Sequence, residues 1–121
     1  MEEKEIKIAL VDDHALFRNG LRGLIDGNHN CRVVAEASDG AEFLECKEAM
    51  SADVVFMDIS MPGIDGVETT RRALQQRPEL KVITLSMYGD EHYYSLMVEC
   101  GASGFLLKDS DIEEVYSAVD A

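Results

Sequence analysis

Asp58 ends a short apolar run, Val54-Val55-Phe56-Met57-Asp58, that turns at once through Ile59-Ser60-Met61-Pro62-Gly63. So brief a run of β-branched and large apolar residues, bounded by proline and glycine, reads as a buried strand. The carboxylate therefore stands at a strand's carboxyl end. An acidic pair, Asp12-Asp13, follows a second apolar run, while Ser86 and Lys108 close two more. If these ends meet, three carboxylates share one crevice with a hydroxyl and an ammonium. At ~4 Å and an effective dielectric near 20, each like-charge pair costs about 4 kcal/mol, so the acids need a proton or a cation among them. An all-oxygen site on few carboxylates, completed by water, suits Mg²⁺, and Mn²⁺ would be accepted on the same oxygens. A carboxylate nucleophile beside a metal, an ammonium and a hydroxyl can accept a phosphoryl group as an acyl phosphate. The metal and Lys108 would neutralise charge on the transferring group.

Taken singly, each residue has a plainer account. Asp13 can cap a helix, Asp12 can face water, Ser86 can be a satisfied strand-end hydroxyl and Lys108 a surface lysine. Their convergence decides the matter, and convergence depends on the fold. Ile6–Val11, Arg32–Glu36, Asp53–Met57, Lys81–Ser86 and Gly104–Lys108 read as strands. From His14, residues Phe17, Leu21, Leu24 and Ile25 recur at helical spacing, with Arg18 and Arg22 on the other face and Gly27 as the stop. Ser38 or Asp39 caps a second helix through Phe43, Leu44 and Met50, and Asp65 opens a third to about Gln76, before Pro78. Asp90 caps a fourth through Tyr93, Met97 and Cys100, ended by Gly101. Ser110-Asp111-Ile112-Glu113 is a capping box for a fifth, lined by Ile112, Val115 and Val119.

Five strands alternating with five helices predict an α/β fold with a parallel sheet covered on both faces. The right-handed crossover rule favours the doubly wound, flavodoxin-like order 2-1-3-4-5. Strands one and three are then neighbours at the switch point, and Asp12, Asp13 and Asp58 converge on one crevice.

With 121 residues the chain is expected to form one domain with its own core. Its net charge of −13 argues against this segment itself binding nucleic acid or an anionic membrane. There is no apolar run near the ~20 residues of a membrane span, and Met1-Glu2-Glu3-Lys4-Glu5 is no signal peptide, so a cytoplasmic location is expected. Cys31, Cys46 and Cys100 lack metal-ligand spacing and fit free thiols in a reducing compartment. His14, His29 and His92 also lack metal spacing and read as surface groups, and Glu2 to Glu5 as a solvated tail. The stretch Gly89-Asp90-Glu91-His92-Tyr93-Tyr94 offers either a partner or homodimer surface or tyrosines packed on the sheet, and Leu96 is a candidate exposed residue. The last helix is still in its apolar pattern at Ala121, which fits either a fragment of a longer chain or a short helix.

Four stretches carry a specific resemblance: Val11-Asp12-Asp13-His14, Met57-Asp58-Ile59-Ser60-Met61-Pro62-Gly63-Ile64-Asp65-Gly66, Leu85-Ser86, and Gly101-Ala102-Ser103-Gly104-Phe105-Leu106-Leu107-Lys108-Asp109. Over essentially its whole length the chain resembles the receiver domain of bacterial two-component response regulators. The resemblance implies that Asp58 takes a phosphoryl group from a sensor histidine kinase. Asp13, Asp58 and the Ser60 carbonyl would hold Mg²⁺, with Asp12 acting through a bound water. Ser86 would swing toward the phosphoryl oxygens, and Phe105 would be the coupled switch aromatic. Asp13 to Arg18 and Leu107-Lys108-Asp109 are most like the NarL/FixJ (LuxR-type) subfamily. Members of that group usually carry a carboxy-terminal helix-turn-helix domain that binds DNA, so DNA contact would come through such an output domain if the full-length protein has one. Asp109 stands where many receivers have proline, and Ser86 where threonine is commoner. Ser60 and Tyr88 occupy positions where the family tunes access of hydrolytic water.

An aspartate nucleophile with Mg²⁺ also describes phosphatases of the haloacid dehalogenase type. Those place a second aspartate two residues on, where this chain has Ser60, and need a cap that no insertion here could form. A flavodoxin-like cofactor binder would need a phosphate cradle after the first strand, where Asp12-Asp13 would repel a phosphate.

Overall fold

The computed structural model describes residues 5–26, 30–87, 91–108 and 112–120. Five strands form one parallel sheet: β1 (Ile6–Val11), β2 (Cys31–Ala37), β3 (Val54–Asp58), β4 (Lys81–Ser86) and β5 (Gly104–Leu107), in the order β2-β1-β3-β4-β5. This is the expected doubly wound topology. All five residues of β3 are buried, as a central strand with helices on both faces requires. Alternation along the strands splits the core in two. Ile8, Leu10, Phe56, Ile83 and Leu85 pack with Leu21 and Ile25 of α1 (Ala15–Asp26) and with Val115 and Val119 of α6 (Ile112–Asp120). Ala9, Val11, Val55, Met57 and Val82 face the other way, toward α2 (Gly40–Glu45), α3 (Lys47–Met50) and α4 (Gly66–Gln76). α5 (Tyr94–Cys100) follows a 3₁₀ turn over Glu91–Tyr93, packs against α4, and ends at Gly101 with φ 103°.

The described residues contain six α-helices rather than the expected five, because the second is broken. Cys46 adopts extended backbone, φ −93° and ψ 109°, and its N–H donates to the Phe43 carbonyl. In an unbroken helix Phe43 and Ala49 would point about 120° apart, at 100° per residue. The break lets both reach the core, Phe43 at 0% and Ala49 at 1% exposure, and leaves Met50 only half-buried. Arg77 fastens this corner by donating to the Met50 and Ala52 carbonyls. Of the two candidate caps, Asp39 accepts from the Glu42 N–H at 2.8 Å. Asp65 caps α4 in the same way, at 2.9 Å from the Glu68 nitrogen. Leu96 is exposed, as expected. Gly27, His29, Tyr88, Gly89, Asp90, Asp109, the Ser110-Asp111 half of the capping box, and residues 2–4 of the acidic lead-in lie outside the described residues.

Gly66 sets how closely α4 approaches the end of β3. Its N–H donates to the Ile59 carbonyl at 2.8 Å, and a Cβ there would lie 2.1 Å from the Asp58 carbonyl oxygen. Gly20 on α1 has nothing within 4 Å of the same point. Urea unfolding should therefore show Gly66→Ala destabilised by about 2–3 kcal/mol. Gly20→Ala should be stabilised by about 0.5–1 kcal/mol. Equal midpoints for Gly66→Ala and the parent would show that α4 is free to move off the strand end.

Candidate functional site

Parallel pairing carries the acids to one edge. Val11 lies opposite Met57, so Asp12 and Asp58 are the next residues on neighbouring strands. Side-chain ligand atoms of Asp12, Asp13, His14 and Asp58 all lie within 4.8 Å of one another. Asp12 and Asp58 are almost fully buried, while Asp13 and His14 face outward. The end of β1 is held firmly: the Asp12 N–H donates to the Ala37 carbonyl at 3.0 Å, and Asp12 Oδ1 accepts from the His14 N–H at 2.8 Å. Arg18 donates to the Asp12 carbonyl and, through Nε, to Glu36 at 2.9 Å. Glu36 also takes Arg22 at 2.7 Å. Arg18 is thus largely buried against the site rather than on an outer helix face.

Lys108 follows β5 directly, and its N–H donates to the Ser86 carbonyl at 2.8 Å. That bond aims the side chain back across the edge. Its Nζ lies 2.8 Å from Asp12 Oδ2 and 3.3 Å from Asp58 Oδ1, and it sits 5.1 Å from the centre of the Phe17 ring. The lysine is 11% exposed, which rules out the free surface lysine considered above. Ser86 ends β4 one residue beyond Leu85, the partner of Asp58. It is buried, and among the described residues its Oγ has no hydrogen-bond partner. The same is true of Asp58 Oδ2. Phe105 lies opposite Thr84, half-buried, with its ring centre 4.6 Å from that of Tyr94. Ser60 lies in the exposed loop two residues past Asp58. His92 is exposed and its ring meets Tyr93, in keeping with a surface group.

His14 is the residue that sequence reasoning missed. Spacing between histidines carries no signal in this chain, whereas adjacency to Asp12-Asp13 at a strand end does. Its Nδ1 lies 3.1 Å from Asp12 Oδ1, 3.4 Å from Asp13 Oδ1 and 3.3 Å from Lys108 Nζ.

Burial, and then the negative charge of Asp12, push the Asp58 carboxyl up from 3.8 to about 6; Lys108 opposes the shift and Asp13 adds to it. A raised carboxyl favours the folded state in its protonated form. That contribution is full below about pH 4 and is lost as pH rises through about 6. With chelator present, urea unfolding should therefore show Asp58→Asn more stable than the parent at pH 7.5, by up to about 3 kcal/mol, and equal to it near pH 4. The same gap at both pH values would overturn this account of the buried charge.

Residues 8–120 match the response regulator receiver domain. The chain is 40% identical over 119 residues to the transcriptional regulatory protein DegU of Brevibacillus brevis, covering 98% of this chain and 50% of that protein. It is 38% identical over 114 residues to the response regulator UvrY of Escherichia coli, covering 94% and 52%. The chain thus spans about half the length of the curated relatives it matches. Among solved structures, the receiver domain of the putative response regulator NarL from Mycobacterium tuberculosis superposes with a TM-score of 0.86 at 34% identity, covering 97% of this chain and 94% of that one. The response regulator ChrA of a heme-sensing two-component system gives 0.82 at 40% identity, covering 98% and 57%. No helix among the described residues is long and apolar enough to cross a membrane. The matched span contains the whole acidic edge together with Ser86 and Lys108, and the chain belongs to the response regulator receiver domain family, in its NarL/LuxR type.

Proposed function

We propose that this chain is a phosphoacceptor that takes a phosphoryl group from a sensor histidine kinase onto Asp58 and switches conformation in response. The observation that carries the proposal is the state of Asp58. It is 4% exposed, keeps Oδ2 without a hydrogen-bond partner among the described residues, and lies beside Asp12 and Lys108. An unsatisfied buried carboxylate oxygen costs folding free energy and is expected where a ligand or a reaction needs it.

The donor set fits Mg²⁺. Carboxylate oxygens of Asp12, Asp13 and Asp58 belong to one cluster, with the partly exposed side leaving room for water. Asp13, Asp58 and the Ser60 carbonyl would hold the ion, with Asp12 reached through water, and Mn²⁺ would substitute. Once bound, the ion neutralises charge on the transferring phosphoryl group. Asp58 supplies the attacking oxygen: an O–P bond forms as the P–N bond of the kinase phosphohistidine breaks, and the freed imidazole keeps its electron pair. Lys108 moves its ammonium from the carboxylates to the phosphoryl oxygens. Ser86 donates its unpartnered hydroxyl to the same group, and Phe105 repacks behind it. The chain is then a signalling acceptor that assists its own phosphorylation and dephosphorylation, working in the cytoplasm. Its output would be transcriptional, as in the transcriptional regulatory protein DegU that it resembles, through a DNA-binding output domain if the full-length protein has one, with homodimerisation as one way to deliver it.

Intact mass after incubation with Mg²⁺ and a small acyl phosphate should rise by one phosphoryl group in the parent and not in Asp58→Asn. Persistent labelling of that variant would move the acceptor elsewhere. Free phosphate released from phosphate monoesters, without labelling, would favour a phosphatase. Lys108→Ala should bind Mg²⁺ about as well as the parent yet respond less to phosphorylation. In a Mg²⁺ titration, Asp13→Ala should lose more affinity than Asp12→Ala, and the reverse order would exchange their direct and water-mediated roles.

A further inference from the structure

The His14 ring is drawn toward the acidic edge although it is 61% exposed and free to turn into solvent. Its Nδ1 faces two groups with opposite demands. The Asp12 carboxylate, 3.1 Å away, can only accept a hydrogen bond, and the Lys108 ammonium, 3.3 Å away, can only donate one. One ring nitrogen cannot offer a proton to the first and a lone pair to the second. Lys108 is already held by the Asp12 and Asp58 carboxylates, so it does not need the Nδ1 lone pair, which is open to a cation bound among them.

The spacing suits such an ion. Adjacent vertices of an octahedron with ligands about 2.0–2.2 Å from the centre lie about 3.0 Å apart. Nδ1 is 3.4 Å from Asp13 Oδ1, near that edge length, while Asp12 Oδ1, 3.1 Å away, keeps the outer, water-mediated place given to it above. Asp58, buried and with Oδ2 unpartnered among the described residues, contributes an oxygen to the same cluster and supplies the inward side. We propose that the His14 imidazole is a ligand of the ion held by these carboxylates, and that this nitrogen makes the site prefer Mn²⁺ and later first-row ions to Mg²⁺. This rests on the metal-dependent acceptor proposed above.

The preference follows from donor chemistry. Mg²⁺ is a hard ion that holds oxygen and parts reluctantly with water, so an imidazole adds little to its binding. First-row transition ions gain from an imidazole, and Mn²⁺, lowest of that series in affinity, is the most demanding probe. His14 sits at the solvent side, so it can join the shell by replacing one water without disturbing Asp58.

The test is a spin-echo modulation spectrum of Mn²⁺ bound to the full chain, prepared with ¹⁴N-histidine and again with ¹⁵N-histidine, alongside His14→Phe. A nitrogen coupling that changes isotope with the labelled histidine and vanishes in His14→Phe is the expected result. The same variant should lose about tenfold in Mn²⁺ affinity, the scale on which metal sites respond to loss of a ligand or its support, with a much smaller change for Mg²⁺. Bound Mn²⁺ without histidine coupling in the parent would overturn the ligand while leaving the carboxylate site standing. A coupling that survives in His14→Phe would do the same, by assigning it to another histidine. No Mn²⁺ binding at all would overturn both this inference and the metal-dependent acceptor beneath it.

Discussion

The burial of two carboxylates at adjacent strand ends is the constraint on which the site depends. Asp12 and Asp58 are nearly inaccessible, and no fold gains stability from placing like charges together away from water. Lys108 makes the arrangement tolerable by lying between them, 2.8 Å from one and 3.3 Å from the other. The compensation is incomplete, since Asp58 still carries a raised carboxyl and, among the described residues, an unpartnered oxygen. That unsatisfied charge makes the acidic edge one that could hold a cation.

The parallel sheet produces this juxtaposition with few long-range devices. β1 and β3 are in register up to Val11 and Met57, so the next residue on each strand is an aspartate by construction. β4 and β5 bring Ser86 and Leu107 opposite one another, and the bond from the Lys108 N–H to the Ser86 carbonyl ties their ends. Neither interaction lies inside the core, yet both depend on it. The apolar alternation that buries Leu10 and Phe56 on one face and Val11 and Met57 on the other fixes the strand positions on which the polar edge is built. Gly66 then permits α4 to begin against the Asp58 carbonyl, where a side chain could not fit.

Most of this is legible in the chain. Strand order, the convergence of Asp12, Asp13 and Asp58, the caps at Asp39 and Asp65, and the Gly101 stop all follow from local patterns with short range. What escapes depends on contacts between elements distant in sequence. The break at Cys46 answers a packing demand from the sheet, which needs Phe43 and Ala49 on one side; helical periodicity within the segment points to Phe43 and Met50 instead. Arg18 reads as solvent-facing because its partners, the Asp12 carbonyl and Glu36, come from the ends of two other strands. His14 reads as ordinary because a single histidine has no spacing to interpret; only the fold shows what surrounds it.

The proposed phosphorylation of Asp58 could shift a two-state equilibrium only by binding energy that differs between the states. Moving a population from 1:99 to 99:1 takes about 5.5 kcal/mol. A hydrogen bond to a charged group contributes about 1.5–3 kcal/mol, and an unmade bond at a buried hydroxyl costs about 1–3 kcal/mol. Ser86, whose hydroxyl lacks a partner among the described residues, stands to gain on both counts. Lys108 gains less, because a contact with phosphate replaces contacts it already has with Asp12 and Asp58. In the proposed acceptor the hydroxyl would therefore be the larger source of differential energy, and the lysine would chiefly redirect an attraction already present. On this argument the proposed switch would be driven from the end of β4. The Phe105 ring, on the neighbouring strand beside Thr84 and against Tyr94, would then carry the change outward to α5.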